Sequence, residues 1–251
     1  MQTAGSKGRN FNCEYPAGHV LPDHHGGPDM STRSWRTVFN LLFLLIVFPA
    51  PHLPAEQATI ITVGDFSSGS LQGWEEKEFL GNTKYTLVDS GSGGVLKATS
   101  SGSASGLFLE REIDLRRTPF LNWSWKIENT LGELNEQSKP GDDYPARIYV
   151  VKKGGIAFWT TRALNYVWAS TSPAGTAWPN AFTDNAMMFA VRSGDAQVGD
   201  WVHEKRNIRE DYKRLFGKDV ETIDAVALMT DTDNAGGRAT AWYGDIYFSA
   251  E

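Results

Sequence analysis

The sequence predicts an all-β fold, a two-sheet β-sandwich of jelly-roll-like type with one short helix near 208–216. Three observations lead there. Short apolar or alternating runs recur between residues 59 and 248, each bounded by Gly, Ser, Asn or Asp, which is the punctuation of strands and turns. Only one segment carries helical periodicity. No internal repeat and no long linker divides residues 56–251, which are enough for one core that buries roughly 70% of the chain's surface.

The elements follow in order. Strands are expected over 59–66, 74–80, 84–89, 95–99, 106–115, 120–128, 146–152, 157–168, 186–193, 200–207, 223–230 and 239–248. Ser and Gly crowd both sides of VLKAT (95–99), as two hairpin turns would require. In LNWSWKI, Leu121, Trp123, Trp125 and Ile127 share one face, because side chains alternate along a strand; that face belongs to the core. In NIREDYKRLFGK, Ile208, Tyr212, Leu215 and Phe216 fall on one helical face. Asn207 is placed to cap this helix, with Glu210 three residues on, and Gly217 to end it.

The chain before residue 56 reads differently. Arg33 and Arg36 precede the apolar run VFNLLFLLIVF (38–48), and PAPHLPA follows. That is the layout of a secretory signal peptide. The run is too short to span a bilayer, which needs about 20 residues. The expected domains are therefore a polar leader at 1–29, a signal peptide at 30–55 starting at Met30 and cleaved near Ala55, and one mature sandwich at 56–251. The expected location is the periplasm or outside the cell, with no membrane span in the mature form.

Removing 1–55 takes four Lys/Arg from 24 and three Asp/Glu from 30, leaving the mature chain at net −7. The lone cysteine, Cys13, goes too, as does every histidine but His203. An acidic chain without a basic run is not built to hold nucleic acid. Without cysteine and with one histidine, it cannot form a thiolate or multi-histidine zinc site.

Four stretches could carry chemistry. In PGDDYPARIYVV, a turn bears Asp142 and Asp143 and feeds a strand on which Arg147 and Tyr149 share the face opposite the core. Arginine is a planar five-donor fork suited to hydroxyls and carboxylates. In NYVWASTSPAGTAWPN, Asn165, Tyr166, Trp168 and Trp178 stand among polar residues, and Trp159 lies just before. Exposed rings beside polar groups suit the C–H faces of sugars. In MTDTDNAGG, Asp231 and Asp233 end a core strand. An EF-hand is excluded there, because its fifth and twelfth positions are Ala235 and Trp242. A hairpin connection is expected instead, with Asn234, Gly236 and Gly237 able to take positive φ. In WVHEKRN, Glu204 and His203 take opposite faces. Neither a G-x-S-x-G elbow nor a complete E-x-D-x-x-E strand motif is present; EIDLR at 112–116 is followed by Arg117 where the second glutamate belongs.

Two resemblances add to this. GDFSSGSLQGW (64–74) and AWYGDIYF (241–248) resemble the opening and closing strands of galactose-binding-like jelly-roll modules, many of which bind carbohydrate. The resemblance implies a structural calcium near the last strand, held by Asp245 with Asp65 nearby; no other cofactor is expected. PGDDYPARIYVV, ALNYVW, NAFTDNAMM, WVHEKRNIREDYKRLFG, MTDTDNAGG and WYGDIYF are together similar to the bacterial domain-of-unknown-function family 3047. That implies an exported bacterial protein and no particular activity.

The expectation is an exported glycan-binding sandwich that uses Arg147, Tyr149, Asn165, Tyr166 and Trp168, with Asp142, Asp143, Asp231 and Asp233 at the rim. Two alternatives stand beside it. One is a glycan-acting enzyme using carboxylates from among Asp142, Asp143, Glu204 and Asp231. The other is an envelope domain that meets a partner protein through edge strands or aromatic loops.

Overall fold

The computed structural model describes residues 59–91, 93–156 and 160–251. The leader, the signal segment with Ala55, and Trp159 lie outside these residues. In chain order the described elements are β1 (Ile60–Gly64), β2 (Trp74–Leu80), β3 (Lys84–Asp89), β4 (Gly94–Ser101), β5 (Ala104–Asp114), β6 (Phe120–Ile127), β7 (Ala146–Lys152), β8 (Arg162–Ala169), β9 (Ala177–Asn180), β10 (Thr183–Ser193), β11 (Val202–Asn207), α1 (Ile208–Phe216), β12 (Thr222–Met229) and β13 (Arg238–Ser249).

The strands form two sheets. One runs β11-β6-β13-β4-β3, with β1 also on β13; the other runs β2-β5-β12-β7-β8-β10-β9. All pairings are antiparallel except β8 with β10. The long β13 is the spine of the first sheet. It pairs with β6 along one edge, and with β4 and then β1 along the other. Its register shifts between Tyr243 and Ile246. A Cβ on Gly244 in that bulge would press on Ser124 Oγ, which would have to turn aside. No helix among the described residues is long and apolar enough to cross a membrane.

The inner faces of the two sheets meet in aromatic contacts. Trp123 packs edge-on to Trp125 at 5.4 Å and lies 5.3 Å from Tyr166, while Trp125 lies 6.1 Å from Trp168. The LNWSWKI face is core, as its alternation implies. Helix α1 covers one end. Asn207 caps it by accepting from the Glu210 N–H, and Gly217 closes it at φ 64°. Asp211 on this helix receives the Tyr166 hydroxyl at 2.7 Å and the guanidinium of Arg206.

Two connections differ from expectation. Residues 230–237 do not close a hairpin, because β12 and β13 belong to different sheets. Gly236 and Gly237 do take positive φ, 78° and 96°, but they turn the chain from one layer to the other. The same holds after β4. Only the turn before VLKAT closes a hairpin, β3–β4, whereas β5 lies in the opposite sheet. Local turn chemistry is the same in both cases. Which sheet the next strand joins depends on which face it must bury.

Candidate functional site

A cleft of about 400 Å³ lies on the face of the seven-stranded sheet turned away from the other sheet. Each of the seven strands contributes to its lining, from Phe79 on β2 to Asn180 on β9. Strand registry explains the floor. Arg147 and Tyr149 on β7 stand opposite Val167 and Asn165 on β8, and Met229 and Ala227 on β12. Facing residues in a ladder share a side, so Arg147, Tyr149, Asn165 and Met229 all point into the cleft.

The acidic residues arrive from two loops stitched together. A single 3-10 turn, Lys139–Gly141, leads into Asp142 and Asp143. Only glycine fits at 141, since a Cβ would run into the Asn135 carbonyl oxygen. Gly141→Ala is expected to cost about 1–3 kcal/mol by overpacking, read as a lower urea midpoint. On the other side, TDTD continues the alternation of β12. Thr230 turns inward to donate to the Pro145 carbonyl at 2.9 Å, and Thr232 meets Ser100 Oγ at 2.7 Å. Asp231 and Asp233 consequently face the cleft. Asp143 fixes the loop by accepting from the backbone N–H groups of Asn234 and Ala235.

Arg147 is the hub. Its guanidinium makes a two-pronged pair with Asp231, with Nε 2.8 Å from Oδ1 and a second, shorter contact between Nη2 and Oδ2. It also donates to the Asp142 carbonyl at 2.6 Å and to the Tyr149 hydroxyl at 3.2 Å, and stacks 4.3 Å from the Tyr144 ring centroid. Burial pushes the Asp231 carboxyl up to about 8. Asp143 and Asp142 act in the same sense, while Arg147 pulls the other way. Asp233, half-buried, is also raised, first by burial and then by Asp143. Of the four carboxyl groups gathered here, Asp231 and Asp142 ion-pair with the guanidinium.

Two buried acceptors here have no hydrogen-bond partner among the described residues, Asp142 Oδ1 and Asn165 Oδ1. Asn165 Nδ2 donates to the Ala163 carbonyl at 3.3 Å; turning the amide over would set two oxygens against each other. Asp142 Oδ2 is taken by Asn180 at 2.8 Å.

The structure brings together most of the sequence-derived candidates: Asp142, Asp143, Arg147, Tyr149, Asn165, Asp231 and Asp233. It excludes four from the cleft. Tyr166 and Trp168 are not an exposed platform; they are 0% and 1% exposed in the inter-sheet core, and the Trp168 indole donates to the Gly194 carbonyl at 3.1 Å. The reason is that β8 is buried on both faces, with Tyr166 and Trp168 on the core side and Asn165 on the cleft side. Trp178 is also buried, packing with Tyr144, Val167 and Met188 in a second cluster. Glu204 lies in the other sheet, ion-paired with Arg192 at 2.5 Å, so the four carboxylates named for catalysis do not assemble. His203 is exposed on that same sheet.

Asp245 and Asp65 do not form a carboxylate pair. Asp245, in the β13 bulge, accepts from the Ser67 N–H at 2.8 Å and from its hydroxyl, and Asp65 is exposed and uses its backbone carbonyl. The GD of AWYGDIYF therefore ties the opening turn to the last strand by hydrogen bonds. The carboxylates that do converge are Asp143, Asp231 and Asp233.

Sequence reasoning missed Phe79 and Phe182, which are 63% and 54% exposed and line the cleft from β2 and from the β9–β10 turn. Phe79 begins a row of rings, 6.3 Å from Phe108, which is 6.5 Å from Tyr149. One signal was available: in WEEKEFL, Phe79 shares a strand face with Glu75 and Lys77, a charged face that a core ring would not join.

Fold and cleft together define a class of protein, a two-sheet β-sandwich with a pocketed sheet face, aromatic at its edges and acidic at its floor. The chain belongs to the family described as protein of unknown function (DUF3047), whose model matches residues 72–247. No curated protein matches it. Among solved structures it is similar to a variant of a family 29 carbohydrate-binding module, at 13% identity over 77% of this chain and 93% of that one, with a TM-score of 0.38. It is also similar to a family 28 module specific for non-crystalline cellulose, at 13% identity over 74% and 91%, TM-score 0.41. A cellulase derived from the Cel12A enzyme of Rhodothermus marinus matches at 9% identity over 76% and 99%, TM-score 0.43. Likenesses this loose carry no argument about activity; the cleft must supply it.

Proposed function

We propose that this protein binds a glycan in the cleft of its seven-stranded sheet. The observation that supports this reading is the combination of exposed Phe79 and Phe182 on the walls with unpartnered buried acceptors, Asp142 Oδ1 and Asn165 Oδ1, on the floor. Ring faces take the apolar side of a sugar, and the acceptors take its hydroxyl donors. Open concave sites with a few placed polar groups are where ligands bind. The acidic floor disfavours nucleic acid and anionic polymers. Export after cleavage near Ala55 belongs to the same reading, and rests on the signal-like residues 33–55.

The test is a glycan array followed by titration of the glycans retained. Phe79→Ala and Phe182→Ala are each expected to weaken binding about tenfold, or about 1.4 kcal/mol, with thermal midpoints unchanged because both rings are already solvent-exposed. Absence of any retained glycan, or full binding by the double variant, would overturn the reading.

A further inference from the structure

We propose that the outer face of the six-stranded sheet, on the other side of the sandwich from the cleft, binds a carboxylate-bearing acidic polysaccharide. This does not depend on glycan binding in the cleft, and three observations carry it. The first is a row of alternating cations and rings. Lys97 on β4 stands opposite Trp242 on β13, which stands opposite Lys126 on β6. Trp125 and Ile127, on either side of Lys126, are buried in the core, so the row faces outward. The ammonium groups of Lys97 and Lys126 lie 5.2 and 4.4 Å from the Trp242 ring centroid, and Lys126 also lies 5.5 Å from Trp201. At the other end of β6, Lys205 lies 4.8 Å from the Phe120 ring. Cation–π contact holds each ammonium over a ring, so an arriving anion meets charges that are already ordered.

The second observation is a hollow of about 430 Å³ on the same face, next to the row. Registry places Ser124 opposite His203, and Asn122 opposite both Lys205 and Tyr247, and all five line the hollow. The side chains of Ser124, His203, Lys205 and Tyr247 have no hydrogen-bond partner among the described residues. They are free to meet the hydroxyls and carboxylates of a sugar chain. The third observation is charge. The chain has a formal net charge of −6, yet Lys97, Lys126 and Lys205 make no ion pair among the described residues. Both acids at the hollow are already engaged, Glu204 with Arg192 and Asp245 with Ser67. Unneutralised cations gathered on one face of an acidic protein attract a polyanion. No basic run in the sequence announces this face, because its lysines come from three strands that only the sheet brings together. A carboxylate polymer suits it better than nucleic acid: the row carries lysine, a point charge, and not the arginine fork that grips phosphate with two bonds.

The experiment is calorimetric titration of polygalacturonate into the full-length protein at low and high salt, with single-stranded oligothymidylate as the competing polyanion. Saturable uptake of polygalacturonate is expected, weaker at high salt because exposed charges are screened, and tighter than uptake of oligothymidylate. The double variant Lys97→Ala/Lys126→Ala is expected to weaken uptake at least tenfold, and Lys205→Gln severalfold. Lys153→Ala, an exposed lysine that pairs with Glu110 on the other sheet, should leave it unchanged. The proposal is overturned if the parent protein takes up no polygalacturonate, or takes up oligothymidylate as tightly. It is equally overturned if uptake survives undiminished in the double variant, or falls as far in Lys153→Ala. Should the double variant fail to fold, Lys205→Gln and the parent titrations decide.

Discussion

Replacing Arg147 with alanine is expected to destabilise the protein by about 3–5 kcal/mol, the cost of breaking a buried ion pair from one side. The change would leave the Asp231 carboxylate 1% exposed with neither of its guanidinium donors. It would also free the Asp142 carbonyl and the Tyr149 hydroxyl at once. Arg147→Lys should recover only part of the loss, because one ammonium cannot reproduce a two-pronged contact and two further bonds in different directions. Chemical denaturation of the parent and the two variants reads the effect. A midpoint unmoved by the alanine change would mean that the pair is solvated and does not organise the cleft. Because the β7 floor and the 231–234 loop meet through this side chain, glycan retention should fall with it.

Trp168→Ala is expected to cost about 3–5 kcal/mol, the range for emptying a core site of a large ring. The indole is buried against Trp125, and its N–H is bonded to Gly194. Trp168→Phe should recover much of the stability and leave ligand uptake untouched, because the side chain points away from the cleft. This separates the structure from the expectation drawn from NYVWASTSP, in which Trp168 stacks on ligand. If Trp168→Phe abolished glycan retention at an unchanged thermal midpoint, the assignment of β8 faces would be wrong. Phe79→Ala gives the reciprocal result, with binding lost and stability kept.

The two substitutions show where local pattern is informative. Alternation in LNWSWKI identifies a core face, because β6 buries one side only at its tryptophans. Asn207 and Gly217 bound α1 correctly, because capping is decided within a few residues. The pairing of Arg147 with Tyr149 opposite Ala146, Ile148 and Val150 was equally legible, and it identified the floor of the cleft. The same logic fails on β8. There Tyr166, Val167, Trp168 and Ala169 are all buried, and a strand covered on both sides shows no alternation from which to choose a face. The aromatic residues that line the cleft, Phe79 and Phe182, sit among charged and polar residues, where hydrophobicity alone would not point to them.

The sequence by itself determined the all-β class, the helix with its two caps, the core face of β6 and membership of the family. The first three depend on periodicity of two or 3.6 residues and on turn chemistry, all read within short windows, and the family on six separated segments that agree in order. Tertiary structure alone decided that TDTDNAGG is a crossing between sheets and not a hairpin. It also decided that Asp142 and Asp143 meet Asp231 and Asp233 across about ninety residues of chain, and that Asp245 serves Ser67. Convergence of charges from distant loops is set by the pairing order β12-β7-β8, a non-local choice made by burying apolar faces. TDTD supplies the acids, but the fold sets Arg147 among them.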